Sequence, residues 1–376
     1  MKNALFFLSI LFIVGCTSGK RSLEKGKYNK ATTEAVKQLK SNPNNKKAAS
    51  VLVQSYPLAK KTALQKIQTA MNTNNPDKYS IAVEEYRELA ALATLINGSP
   101  KALQLVGAPD DFSSQLGEFL PKAAEEKYNQ GNYLMQTADR KNAREAYYAF
   151  LKANDYVRGY KDVNSKINEA LDAATLKVVV DKPQIPARFQ LSSDFFYDNL
   201  MNELTRISKD RFVKFYTWQE TGEGHYVKPD QYMVLDFEDF SVGNTREFTD
   251  RYEAVKDSVV VGRTQVNGQS VDVYGTVKAK VTLYKQEVMS QGLLAVRIVN
   301  QDNTRTLDSK KFPGQFVWGN QWLSFNGDER ALSREEKKLA NSGPLPPPPP
   351  QDMFVEFTKP IFSQVSDYVR RYYSGY

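Results

Sequence analysis

The sequence predicts an α domain followed by an α+β domain, and three observations support this. Residues 22–174 are rich in Ala, Glu, Lys, Leu and Gln, which favour helices, and are interrupted by Asn- and Pro-containing breaks. After residue 174, β-branched and aromatic segments alternate with polar residues, as in strands. An amphipathic segment ends the chain. We therefore predict a helical array over 22–174 and, over 175–342, an antiparallel sheet packed with helices.

The first residues have the pattern of an export signal. Lys2 precedes an apolar run over residues 4–14, which ends at Gly15 and Cys16. This run is shorter than the ~20 apolar residues that a permanent membrane span needs. A charged start, a short apolar stretch and a small residue before a cysteine resemble the signal and lipobox of bacterial lipoproteins. The alternative is an ordinary secretory signal with a chance cysteine.

The lipoprotein resemblance implies that residues 1–15 are removed and that Cys16 carries the lipid. Its thiol would hold diacylglycerol and its amine a further acyl chain such as palmitate. Two or more chains make a stable anchor, at about 0.8 kcal/mol per buried methylene. Residues 16–21 would then form a short tether. Thr17 is not the aspartate that retains such lipoproteins in the inner membrane, and no acidic cluster follows it. The resemblance therefore implies an outer-membrane protein that faces the periplasm.

Charge and cysteine content limit which disulfides and which binding partners are expected. Cys16 is the only cysteine, so once it is acylated no disulfide can form. The formal net charge is +8, which favours anionic headgroups, acidic glycans or an acidic partner, the alternative being a solvated basic surface. Nucleic acid is not expected as a partner, because the chain has no dense basic tract with an aromatic platform.

The helical region carries a weak repeat. Breaks are predicted at residues 41–45, 72–76, 97–100 and 107–110. Ala146, Phe150 and Ala153 follow the small–bulky–small spacing of tetratricopeptide repeats, and weaker matches begin at Ala31 and Ala82. These anchors do not recur at the usual period of about 34 residues. The resemblance implies stacked helical hairpins with a concave surface, and the alternative is a plain bundle.

Tyrosines cluster in the second half of this region. We expect them either to line a peptide groove or, as is more common, to pack with their hydroxyl groups at the surface. They are Tyr128, Tyr133, Tyr147, Tyr148, Tyr156 and Tyr160.

In the second domain, residues 176–180 read as a strand or linker and 192–208 as an amphipathic helix. We predict strands over 212–218, 231–240, 252–261, 270–285 and 293–300. In the fourth of these, apolar residues from Val271 to Leu283 alternate with polar ones, which predicts one face on a core and one in water. Asn267-Gly268 predicts a tight hairpin turn before it.

The C-terminal region begins with a helix expected near Asp328. Residues 343–350 hold a run of prolines that predicts a stiff polyproline spacer, or a ligand for an aromatic groove. Residues 351–376 predict an amphipathic helix that packs on the α+β domain, with a partner or a membrane as alternatives. The order of these elements resembles the periplasmic domain of curli-secretion-channel lipoproteins and the amino-terminal domain of the TolB translocation protein. The similar patterns are the helix 192–208, the strand 231–236, the strand around Val277 and the last helix.

The sequence offers little support for catalysis. His225 is the only histidine and lies in a glycine-rich loop. No cysteine or second histidine completes a zinc site of the usual spacing, and no phosphate-binding glycine motif is present. Asp236, Glu238 and Asp239 could serve as acid–base or calcium-binding carboxylates, but a solvated strand face is the favoured explanation. We predict no catalytic residue, no cofactor and no metal site.

These observations lead to one hypothesis and two alternatives. We hypothesise a non-enzymatic scaffold or adaptor lipoprotein, anchored through Cys16, that binds other envelope proteins within an outer-membrane assembly or secretion complex. One alternative is a channel-forming secretion lipoprotein in which strands such as 270–285 insert as hairpins from many copies, with lysines and threonines towards a lumen. The other is a glycan-binding protein or enzyme that uses Trp318 and Trp322.

Overall fold

A computed structural model describes residues 19–209, 212–221 and 228–376. It confirms the predicted fold class, since helices fill the first part and a sheet packed with helices fills the second. The chain divides between Ala174 and Thr175 into two compact units.

Helices account for the regular structure of the first unit. They are α1 (Lys20–Glu24), α2 (Tyr28–Ser41), α3 (Lys46–Asn72), α4 (Lys78–Asn97), α5 (Pro100–Val106), α6 (Ser113–Leu134), α7 (Arg140–Tyr156) and α8 (Val163–Ala174). The four predicted breaks all fall between helices or at their ends. Side-chain caps explain why α3 and α7 begin where they do: Asn45 accepts from the backbone N–H of Ala48, and Asp139 from that of Asn142.

The first unit has several small cores in succession. One is shared by α2, α3, α4 and α5 around Leu39 and Leu52. Others link α3 with α4, α4 with α6 and α7, and α7 with α8. Ala146, Phe150 and Ala153 are fully buried in the last of these. Each of these cores is shared by helices that are near one another in the chain.

The second unit is built on a mixed five-stranded sheet. Its strands are β1 (Leu176–Val180), β2 (Val213–Thr217), β3 (Gln231–Val266), β4 (Gln269–Asn300) and β5 (Thr306–Gly327), in the order β2-β1-β3-β4-β5. The sheet, predicted to be antiparallel, is mixed in the structure, because β1 pairs in parallel with both β2 and β3. The cause is the helix α9 (Gln190–Ser208), which forms a crossover between β1 and β2.

The strands are longer and fewer than predicted. The predicted strands 231–240 and 252–261 are parts of β3, and 270–285 and 293–300 are parts of β4. Bulges in β3, such as those at Phe237/Asp239 and Ser241/Asn244, break the apolar alternation while the pairing continues. The strand β5 was not predicted, since it contains Pro313 and glycines that disfavour strands. Pro313 is tolerated because β5 is an edge strand.

One face of the sheet carries the main core. The helices α9 and α11 (Pro350–Tyr372) cover Leu294, Val296 and Ile298 there. Gly292 and Gly314 pair across β4 and β5 beneath α11. A Cβ on Gly314 would lie 2.2 Å from the backbone oxygen of Phe357. The last helix therefore packs directly on strand backbone, and only glycine fits there.

A smaller core lies on the opposite face, farther along the same strands. The helix α10 (Arg334–Asn341) and Leu332 cover Val277, Ala279 and Val281. Register between β4 and β5 is unbroken from Ala279 to Ile298, so odd- and even-numbered residues of β4 keep to opposite faces. The predicted helix start near Asp328 is wrong: Asp328 precedes a short 3-10 turn, and α10 begins after its N-cap Ser333, which forms a capping box with Glu336 in the first turn.

Candidate interaction surface: a two-stranded ribbon

Beyond the end of β5, the hairpin of β3 and β4 continues as a two-stranded ribbon, comprising residues 255–278. The last pair between β4 and β5 joins Ala279 to Gly327. Asn267 and Gly268 form the turn, with φ of 56° and 78°. Positive φ at both positions is what a type I′ hairpin turn requires, as the Asn-Gly pair predicted. At ~3.3 Å per residue, the β4 arm of the ribbon is roughly 33 Å long.

One face of the ribbon, here called the valine face, is apolar and exposed. Residues opposite each other in an antiparallel pair share a face, and Thr264 pairs with Val271 and Gly262 with Val273. Val261 lies on the same face, because its side chain is 3.0 Å from the position of a Cβ on Gly275. The exposed fractions are 47% for Val261, 46% for Val271 and 41% for Val273. This row continues the buried residues of β4 outward, and no described helix of the second unit lies over it.

The valine face corrects one expectation from the sequence. The strand 270–285 was predicted to place its whole apolar row on a core. In the structure only Val277, Ala279 and Val281 of this row are buried, while Val271 and Val273 are exposed. The apolar and polar residues alternate as predicted, but α10 and Leu332 cover only the part of the apolar row that begins at Val277.

The opposite face of the ribbon is polar and internally paired. Arg263 and Asp272 form an ion pair of 2.8 Å, and Thr276 donates to Asp257 over 2.6 Å. Lys278 pairs with Glu253 at 2.9 Å near the base. Exposed pairs of this kind contribute at most about 1 kcal/mol each, so they define a polar surface more than they stabilise it. The two faces of the ribbon thus present different chemistry.

In the part of the chain that the structure describes, no strand pairs with either outer edge of the ribbon. The strand β1 pairs with β3 only as far as Met233, and β5 leaves β4 at Ala279. The guanidinium of Arg330 donates to the backbone oxygen of Val260 over 2.6 Å and also pairs with Asp328. Its hydrogen bonds hold the pKa of Asp328 at about 2. Arg330 therefore fastens the ribbon about midway along its length, at Val260, and among the described residues no such contact reaches the part beyond it.

The outer edge of β5 provides a contrast. The hydroxyl of Ser342 donates to the backbone oxygen of Gln321 over 3.4 Å, and Gln364 donates to that of Pro313 over 3.0 Å. Lysines at 310 and 311 and the proline at 313 also disfavour pairing with another strand. This edge is protected by side chains that follow it in the chain, whereas the ribbon has one such contact, through Arg330, among the described hydrogen bonds.

The residues singled out for chemistry do not converge. Cys16 and His225 lie outside the described residues. Asp236 and Asp239 are exposed, and Glu238 pairs with Lys311 at 2.6 Å. Within the described ranges, no three His, Cys, Asp or Glu side chains are placed to hold a metal ion.

The aromatic candidates mostly pack. The ring of Trp322 stacks on Tyr284 with centroids 5.4 Å apart, and both Trp318 and Trp322 are half-buried. Tyr128 packs against Phe150 and Tyr156 is buried, whereas Tyr133 and Tyr148 are exposed. The tyrosine cluster therefore does not act as one surface.

Comparison with known proteins adds no family. No protein-family model and no curated protein matches the chain. In the described part of the chain, none of the helices combines the length and the apolar character that a membrane crossing demands.

Proposed function

We propose that this protein is a non-enzymatic adaptor of the bacterial envelope, held at the outer membrane by lipid on Cys16, which binds another envelope protein through the valine face of its ribbon. The supporting observation is a row of half-exposed valines that continues a core, although no described helix of the second unit covers it. Contiguous apolar surface of this kind marks interaction sites in folded proteins. The anchor rests on the sequence around Cys16.

The energetics favour a partner on the ribbon. A two-stranded hairpin alone is marginally stable in water. Fully burying the half of each valine that is exposed would contribute roughly 1 kcal/mol, or roughly 4 kcal/mol for Val261, Val266, Val271 and Val273 together. A strand added to a free edge would also supply main-chain hydrogen bonds. These gains offset part of the entropy lost on association.

A channel formed by several copies is a second candidate, because of the length and two-sidedness of the ribbon. Its β4 arm matches the 9–11 residues that a membrane-spanning strand needs, and one face is apolar while the other is polar. However, Tyr274, on the polar face, is the only aromatic residue among residues 255–278. Membrane-spanning strands carry aromatic residues at both interfaces, so a protein partner is the better match to this ribbon.

The test compares the two faces. In the double variant Val271→Thr/Val273→Thr, β-propensity is kept and the apolar surface is lost. We expect recovery of a defined partner from solubilised envelopes to fall at least about tenfold, the equivalent of 1.4 kcal/mol. The control is Tyr274→Thr, which alters a residue of the polar face that is 63% exposed.

The outcomes separate the candidates. Equal recovery by the valine variant, the control and the unaltered protein would exclude the ribbon as the binding element. Loss of ion leakage from lipid vesicles in the valine variant, with no protein partner lost, would support the channel instead.

A further inference from the structure

A crevice of about 560 Å³ lies in the second unit, where the parallel strands β1 and β2 end. It is lined by Asp181, Lys182, Gln184, Trp218, Gln219, Val234, Leu235 and Asp236. The strand β1 lies between two parallel neighbours, β2 on one side and β3 on the other. The chain runs from β1 to β2 and then from β2 to β3, on the opposite side of β1. Crevices outside the carboxyl ends of strands at such a switch in strand order are preferred ligand sites.

The polar groups of the crevice are mainly acidic. Asp181 follows β1 and is half-buried, and this burial raises the pKa of its carboxyl. Asp236 enters from β3. The ammonium of Lys182, the one basic group among the described lining residues, lies 2.8 Å from Asp194. The described lining therefore holds two carboxylates and one ammonium that is already paired, on a protein whose net charge is +8.

An aromatic ring and a strand edge complete the crevice. Trp218 follows β2, and 59% of its surface is exposed. The backbone N–H of Asp181 donates to the oxygen of Met233 over 2.9 Å, which is the last bond between the β1 chain and β3. Backbone groups alternate along a strand, so the N–H and C=O of Leu235 face the same side of β3 as the bonded oxygen of Met233. They lie beyond the end of β1.

We propose that this crevice binds an extended peptide segment by its lysine or arginine side chain. The cation would lie between the carboxylates of Asp181 and Asp236 and the indole of Trp218, while the peptide backbone pairs with β3 at Leu235. Carboxylates form charge-assisted hydrogen bonds with ammonium and guanidinium groups, and indole is the side chain that best attracts a cation. A strand added to a sheet edge supplies the remaining polar contacts.

The test uses the full-length lipidated protein in detergent and two short labelled peptides. One alternates valine and threonine around a central lysine, and the other has norleucine in place of the lysine. Fluorescence anisotropy should show the lysine peptide binding at least about tenfold more tightly, as hydrogen bonds to charged groups imply. Equal affinity for the two peptides, or binding of neither, would overturn the proposal without any variant.

Variants then locate the site. We expect Asp181→Asn/Asp236→Asn to weaken binding of the lysine peptide about tenfold or more and Trp218→Ala about fivefold. Asp367→Asn, an exposed carboxylate on α11, should have no effect. If a neutral oligosaccharide binds instead of the peptide, and Asp181→Asn/Asp236→Asn still binds that oligosaccharide, then Trp218 contacts a glycan and the peptide proposal is wrong. Val271→Thr/Val273→Thr should leave peptide binding unchanged, so this inference stands or falls independently of the ribbon.

Discussion

The same two strands, β3 and β4, pass through the body of the sheet and through the ribbon, yet the two regions differ in what covers them. In the body, α9 and α11 bury Val296 completely. In the ribbon, Val273 of the same strand is 41% exposed. Alternation along β4 continues through both regions. The difference shows that a strand pattern fixes which residues share a face, whereas burial depends on elements elsewhere in the chain.

The largest effect is expected from a substitution that disrupts the packing of α11 on the body of the sheet. In Gly314→Ala, the new methyl would meet the backbone of Phe357 at 2.2 Å, and backbone cannot give way as a side chain can. We expect a loss of about 3 kcal/mol in the free energy of unfolding, measured in urea. Gly343→Ala is the control, since a Cβ there meets nothing within 4 Å. Similar stability of the two variants would show that α11 does not rest on this backbone.

A matched pair of valines tests the comparison itself. Val296→Ala should cost about 2 kcal/mol in unfolding free energy, because it removes two buried methyl groups and leaves a cavity. Val273→Ala in the ribbon should change it by less than about 0.5 kcal/mol. Equal costs for the two variants would mean that the ribbon is covered in solution.

Arg330 ties the ribbon to the segment that follows β5. Arg330→Gln removes the guanidinium that joins Asp328 to the backbone of Val260. We expect local opening of the ribbon to become easier by about 1 kcal/mol, seen as faster amide hydrogen exchange over residues 259–275. Exchange in β1 and α11 should not change. Unaltered exchange in the ribbon would contradict the role of this contact.

A smaller effect is expected where α10 meets β3. Tyr252 donates a hydrogen bond of 2.5 Å to Glu336 at the start of α10. This bond raises the pKa of Tyr252 to about 12 and lowers that of Glu336. Tyr252→Phe should lower the free energy of unfolding by only about 0.5 kcal/mol, because the pair is partly exposed. If Tyr252 of the unaltered protein titrates near the ordinary tyrosine pKa of about 10, the hydrogen bond to Glu336 is excluded.

The sequence predicted the fold class, the helix breaks and the Asn267-Gly268 turn, because each depends on local residue preferences. It did not predict the exposure of the valine face. Val271 and Val281 both sit in alternating apolar and polar segments, yet 46% of one and 1% of the other is exposed. Leu323 and Leu332, which pack in the core of Val281, are distant in sequence. Likewise, parallel pairing of β1 brings Asp181 and Asp236 into one crevice, and no local pattern predicts that pairing.

Photo-crosslinking from neighbouring positions of the ribbon in intact cells tests the central claim most directly. A photoreactive residue at Val273 would project from the valine face, and one at Asp272 from the polar face. We expect a discrete cross-linked envelope protein from position 273, lost when Val271→Thr is added, and little product from position 272. Equal products from both positions, or none from position 273, would contradict the assignment of the valine face as the binding surface.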